Sequence, residues 1–235
     1  MKSAKLSLVA VLFLLSAAVT LKPVMAQVDM DTLPFKHFEV GPFFTAGLSV
    51  FQGDVPEGAK TDVHFAFSGG ALLAYSFHQS WGVALGLGYE SRGIYFHKEA
   101  VEIPNIDFTL NYFSIQPSIK FKQFLLGVNI GLPLSGKSKW NTGYPAPAAS
   151  SVEGEANKDS LNTMIDIRAQ GLLPIVENDD GALYFVINAS YNVSDALKNF
   201  VLPFQNDFSK PVTKSPIPTL QLGLSYMLAP GGKTH

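Results

Sequence analysis

Eight stretches of the chain alternate apolar and polar residues with a period of two, the spacing of a β-strand whose successive side chains point to opposite faces. The last, Thr219 to Leu228, is the cleanest: Leu220, Leu222, Leu224, Tyr226 and Leu228 share one face, and Gln221, Gly223 and Ser225 share the other. The same pattern places strands at Phe38 to Phe51, about His64 to Phe77, about Trp81 to Tyr95, about Thr109 to Phe121, Phe124 to Leu134, about Leu161 to Leu173 and Leu183 to Val193. In each, one face is large and apolar and the other is small or polar. The third stretch sets Trp81, Val83, Leu85, Leu87 and Tyr89 against Gly82, Ala84, Gly86, Gly88, Glu90 and Arg92. A face that narrow and rich in glycine belongs in a crowded interior, which leaves the bulky apolar face outside. Leu72 and Met164 break the small face, and Pro117 removes one ladder donor from the fourth strand.

The connections alternate as well. Short ones fall at residues 78–80, 122–123 and 174–181, and long ones around 52–63, 96–108, 135–159 and 194–215. An even strand number, strands of about 10 residues and short turns opposite long loops together predict an all-β fold: an eight-stranded antiparallel up-and-down transmembrane β-barrel in an outer membrane, both termini on the periplasmic side. Apolar aromatics reinforce this by collecting at two heights. Phe38, Tyr75, Phe77, Trp81, Phe121, Phe124, Phe185 and Tyr226 lie at short-turn ends, and Phe65, Phe67, Tyr95, Phe113 and Tyr191 near loop ends. A soluble lipocalin-like binder would carry the opposite polarity, apolar inside and polar outside.

Ahead of the strands, Lys2 and Lys5 precede an apolar run from Leu6 to Leu21 that ends at Val24-Met25-Ala26, the form of a cleaved secretory signal. Thr20, Lys22 and Pro23 cut the run short of the roughly 20 apolar residues a spanning helix needs. The expected organisation is a signal peptide at 1–26, a short periplasmic segment at 27–37, a barrel at 38–229 and a tail at 230–235. The chain has no cysteine, which excludes a lipid-modified N-terminal Cys and a disulfide framework. A net charge of −2 without a basic stripe excludes nucleic acid as the expected partner. Charged residues are only 15%, yet no later segment has the apolar length of a spanning helix, and a chain of that kind points to strands.

Two resemblances rest on particular residues. Gln221-x-Gly223-x-x-Tyr226-x-Leu228 resembles the C-terminal signal by which barrels are handed to the outer-membrane assembly machinery, although seven residues follow it. The signal peptide, the eight strands and Gly86-Leu87-Gly88-Tyr89-Glu90-Ser91-Arg92-Gly93 resemble the PorT-like outer-membrane β-barrel family of Bacteroidetes-type bacteria, and the architecture is similar to OmpA-like and OmpX-like barrels. That resemblance implies a barrel of a family whose members are mostly of undefined function, some implicated in secretion or gliding machinery.

Six ionisable side chains fall on the inward face: Glu39, Glu90, Arg92, Lys120, Asp166 and Arg168, with formal charges summing to zero. Glu90 with Arg92, and Asp166 with Arg168, are each two apart on one strand and are expected to interact, because a buried charge must be paired. The expectation is an ion-paired plug, since an eight-stranded barrel leaves room for side chains but not for a wide channel. No histidine has a metal-like partner, so neither a metal nor a cofactor is expected, and no catalytic residue is assigned. The alternative, a barrel enzyme acting on lipid or peptide at the outer rim, would need a Ser or Asp to join His64 or His97. Glu177 to Gly181 reads as a hairpin turn in preference to a calcium loop. In the long loops Trp140, Tyr144, Phe200, Phe204 and Phe208 are candidate anchors for another envelope protein. The function expected is a non-enzymatic structural or surface-interaction barrel, or an accessory of envelope secretion, with lipids and the assembly machinery as partners.

Overall fold

The chain forms nine strands, one for each alternating stretch and a further one, β6, within the 135–159 connection expected to be loop: β1 (His37–Val50), β2 (Ala59–Ser76), β3 (Trp81–Lys98), β4 (Asn105–Phe121), β5 (Phe124–Thr142), β6 (Ser150–Ala156), β7 (Met164–Asn178), β8 (Gly181–Asn192) and β9 (Thr219–Leu228). The structure, a computed structural model, describes residues 37–53, 59–98, 105–142, 150–156, 161–178, 180–196 and 216–229. The signal peptide, the 230–235 tail, Tyr144, Phe200, Phe204 and Phe208 lie outside them. All strands but β6 close an antiparallel ring in chain order, with β5 passing to β7 and β9 returning to β1. β6 is a hairpin partner for the loop-end extension of β5, pairing from Gly136↔Ala156 to Thr142↔Ser150.

Closure has a definite pitch. Paired positions run from Glu39 through Ala74, Ala84, Ser118, Gly127, Arg168, Ser190 and Thr219 and return to Ser49, ten residues further along β1. For eight strands, that stagger gives a tilt of about 40° and a backbone radius of about 8 Å. A cylinder so narrow must fill itself with side chains.

The polarity is inverted relative to a soluble core. Leu126, Leu222 and Leu224 are 62%, 51% and 50% exposed on the outer wall, whereas Thr45, Ser68, Asp166, Gln221 and Ser225 are buried inside. Aromatics ring both ends of the apolar wall. Trp81 stacks on Phe121 at 4.8 Å at the short-turn end, and Phe65, Phe67 and Tyr89 form a chain of contacts toward the loop end. Asn178 makes the turn before β8, its Oδ1 accepting from the amides of Asp180 and Gly181, so this acidic stretch is a hairpin.

Several strands run further than their alternation predicts; β3 to Lys98 and β4 from Asn105 extend against each other in unbroken register, and three other extensions start at an irregularity. Leu134 is passed over between Pro133, paired with Tyr112, and Ser135, paired with Asn111. That bulge reverses which parity of β5 faces outward, so β5 continues to Thr142 through the stretch expected to be loop. A register shift at Pro174/Val176 carries β7 on to Asn178, and another between Asp62 and Phe67 carries β2 back to Ala59. Beside Pro117, the β4–β5 pairing is interrupted between Ile115 and Ser118.

At the β1–β9 seam the two backbones come close. A Cβ added at Gly47 or Gly223 would fall on the carbonyl oxygen of Leu220 or Phe44 across the seam. Gly223→Ala is therefore expected to destabilise the closed barrel by about 1–3 kcal/mol through a forced backbone shift. Urea unfolding in detergent measures it, and an unchanged midpoint would show that the seam has room to spare.

Candidate functional site

Side chains of every ring strand meet in the lumen, because all inward positions within a turn of the helical register lie within reach of one another across so narrow a barrel. They sort into layers. At the short-turn end the Lys120 ammonium pairs with Glu39 Oε2, and Tyr184 donates its hydroxyl to Glu39 Oε1 at 3.3 Å. Above it Phe43, Leu72, Leu125, Leu172, Val186 and Met227 form an apolar layer. Leu72, the residue that breaks the polar alternation of β2, is part of this layer.

A polar belt follows. Arg92 is completely buried, and its guanidinium reaches two carboxylates: Nε donates to Glu90 Oε1 at 2.8 Å, and both terminal nitrogens engage Asp166 as a fork. Nη1 also donates to the Ile217 carbonyl at 3.1 Å, and Nη2 to Ser190 Oγ at 3.1 Å. Asn129 Nδ2 bridges the same two acids, at 2.7 Å from Glu90 Oε2 and 2.9 Å from Asp166 Oδ2. Asn192 Nδ2 completes Asp166 at 3.0 Å from Oδ1. Asp166 thus accepts four hydrogen bonds, the full capacity of an ionised carboxylate. Ser114 donates to Asn129 Oδ1 at 2.6 Å and accepts from Gln116 Nε2, which fixes the amide's orientation.

One expected pair does not form. Arg168 is not matched with Asp166, which Arg92 has taken; its Nε donates to Asn188 Oδ1 at 2.7 Å, its Nη2 to Gln170 Oε1 at 2.8 Å, and the cation lies 5.9 Å from the Phe43 ring. Strand spacing alone allowed either arginine to pair across; the forked geometry available to Arg92 decides it. With two acids around one arginine, the belt needs the second cation for neutrality. Asn188 then passes the network on, donating to Gln221 Oε1, which also accepts from Thr45 and Ser68. Gln221 of the C-terminal motif is therefore a lumen residue, while Tyr226 and Leu228 are exposed on the outer wall and Gly223 lies at the seam.

Asn129 is the residue that sequence reasoning missed. The only signal was a single amide among Leu125, Gly127 and Gly131 on the small face of β5. Above the belt lies a second apolar layer of Phe51, Ile94, Phe96, Phe108, Leu110, Tyr112 and Met164, joined by Leu161, Ala196 and Ile217 from the ends of the long connections.

The histidine candidates resolve differently. Gly93 has no side chain to oppose the His64 ring, which lies across β3 so that Nε2 is 2.9 Å from Asp107 Oδ1 on β4. Nδ1 lies 2.7 Å from the Phe65 carbonyl oxygen. Both ring nitrogens are thus engaged by oxygens of Asp107 and the Phe65 backbone, and neither faces a hydroxyl it could activate. His97 is on the β3 backbone and Trp140 on that of β5. Among the described residues no three His, Cys, Asp or Glu are grouped to hold a metal ion.

No family model matches the chain, and no curated protein matches it. Among solved structures it is similar to Ail, the attachment invasion locus protein of Yersinia pestis, at 18% identity over 80% of this chain and 97% of that one, with a TM-score of 0.40. It is also similar to the outer membrane protein OprG from Pseudomonas aeruginosa, at 12% identity over 81% of this chain and 95% of that one, with a TM-score of 0.32.

Arg92→Met is expected to cost about 3–5 kcal/mol, since it strands two buried carboxylates without a cation. Lys120→Met is expected to cost less, about 1–3 kcal/mol, because its pair lies at the barrel end and keeps a little exposure, and Tyr184 still bonds Glu39. Denaturant titration of both variants checks the ordering, and equal costs would contradict the layered account.

Proposed function

We propose that the chain is an integral outer-membrane β-barrel protein of a Gram-negative bacterium, with its short turns and both termini in the periplasm and its long connections outside. The observation that carries this reading is the pairing of an apolar outer wall with a lumen filled by buried polar and apolar side chains. Between Phe124 and Leu134 the exposed wall of β5 rises about 25 Å at the barrel's tilt, which matches the apolar band of such barrels. A soluble protein has no use for that many exposed Leu, Ile, Val and Phe side chains.

The role proposed is non-enzymatic: a structural or surface-interaction component of the envelope, or an accessory of secretion machinery. A lumen whose belt is buried and mutually bonded argues against a pore, and the engaged ring of His64 argues against a hydrolase at the outer rim. Lipids and the barrel assembly machinery are the partners this reading requires, the latter addressed by Gln221, Gly223, Tyr226 and Leu228. The Gly86–Gly93 motif is the ground for placing the chain with PorT-like barrels and for expecting other envelope proteins as partners.

Two measurements test the proposal together. The protein should be recovered in the outer-membrane fraction as a heat-modifiable band, and after reconstitution into a planar bilayer it should leave the membrane non-conducting. Stable unitary currents would replace the sealed barrel with a channel, and recovery from the soluble periplasm would overturn the membrane assignment.

A further inference from the structure

The inward and outward faces exchange polarity partway along the strands. On β3 the inward residues change from Glu90 and Arg92 to Ile94 and Phe96, and on β4 from Ser114 to Leu110 and Phe108, all of them buried. The outward face changes in the opposite sense at the same height. Tyr89 and Phe113 end the run of exposed apolar side chains on those two strands, and the positions of the same parity beyond them are Ser91, Gly93 and Tyr95 on β3 and Asn111, Thr109 and Asp107 on β4. On β5 the wall ends at Leu134, and the exposed residues beyond it are Ser135, Lys137 and Lys139. Lys139 is in register with Asp107 on β4 and with Glu153 on β6.

We infer that the loop-end part of the barrel is a second folded unit with ordinary polarity, apolar within and polar without, standing in water above the membrane. This rests on the membrane reading above and deepens it by locating the surface that faces the medium. Lipid solvates an apolar exterior and water a polar one, so a change of solvent along one strand demands an exchange of faces at the boundary. The boundary then passes just above Tyr89, Phe113 and Leu134.

The unit is built by the loop-end extensions of β3, β4 and β5, with β6 paired to that of β5, while on β2 the wall stays apolar through Phe65 and Val63, 58% and 56% exposed. From Leu134 to Thr142, β5 climbs a further 20 Å or so, whereas a headgroup layer is only about 5–8 Å deep. Its core is closed from above by the ends of the long connections, through Leu161, Ala196 and Ile217. Arg92 ties the two units together, since one guanidinium holds Asp166 in the belt and the Ile217 carbonyl under the outer core.

The absence of cysteine permits a direct test. Single variants Thr109→Cys and Lys137→Cys in the outer unit, and Val128→Cys and Leu222→Cys on the apolar wall, are reconstituted in phospholipid vesicles and treated with a charged, membrane-impermeant maleimide. The outer pair should react at least about tenfold faster than the wall pair, because a thiol held in lipid neither ionises nor meets the reagent. Slow reaction at all four positions would place the outer unit in lipid and overturn the inference while leaving the membrane barrel standing. Fast reaction at all four would overturn the membrane reading itself, and with it the inference. Phe108→Ala adds an independent readout: protease should cleave the outer unit while the heat-modifiable band persists, and loss of that band together with the outer unit would show one cooperative core instead of two.

Discussion

Closure of the ring is the constraint from which the rest follows. A strand in hydrocarbon has no water to satisfy its peptide groups, so every edge must find a partner, and β9 must return to β1. Eight strands with a stagger of ten residues fix a radius of about 8 Å, and that radius leaves an interior just wide enough for side chains. The glycines at the seam, the hydroxyls of Thr45 and Ser68 bonded to Gln221 and the long forked reach of Arg92 are all responses to one narrow cylinder.

A narrow interior facing an apolar exterior sets the second problem, which is how to fill the lumen with polar groups at acceptable cost. An isolated charge there would be prohibitive, so each ionised group is paired or hydrogen-bonded. Asp166 shows the solution in full, with four donors around one carboxylate. The apolar layers above and below separate this belt from water at both ends. The lumen is therefore a core in the ordinary sense, with polar residues substituting for apolar ones in its middle layer.

Much of this was legible in the sequence because a period of two survives any environment that has two distinct faces. The eight membrane-crossing segments, the short turns at 78–80 and 122–123, and the inward set Glu39, Glu90, Arg92, Lys120, Asp166 and Arg168 could all be read from parity. Parity fails where a strand bulges or the solvent changes, and the misjudged boundaries lie at such places. The fifth strand was expected to end at Leu134, where a bulge flips its faces, and the sixth at Leu173, beside the shift at Pro174. The fourth was expected to begin at Thr109, although Asn105 to Phe108 continue it in the same parity, with an apolar Phe108 inward where the lower part of the strand has polar residues. Pairing inside the lumen was half legible: Glu90 with Arg92 follows from spacing, but the capture of Asp166 by Arg92 depends on how the ring brings β3 opposite β7.

The claim that everything else depends on is that lipid faces the large apolar side chains and the polar belt is sealed within. Paramagnetic broadening of side-chain NMR signals in micelles, using a probe carried on the acyl chains, tests it most directly. The account predicts strong broadening at Val128, Leu222 and Leu224 and none at Arg92, Asn129 and Gln221. Broadening at the belt residues with Val128 and Leu222 left sharp would contradict it, because the chain would then be folded with its faces the other way round.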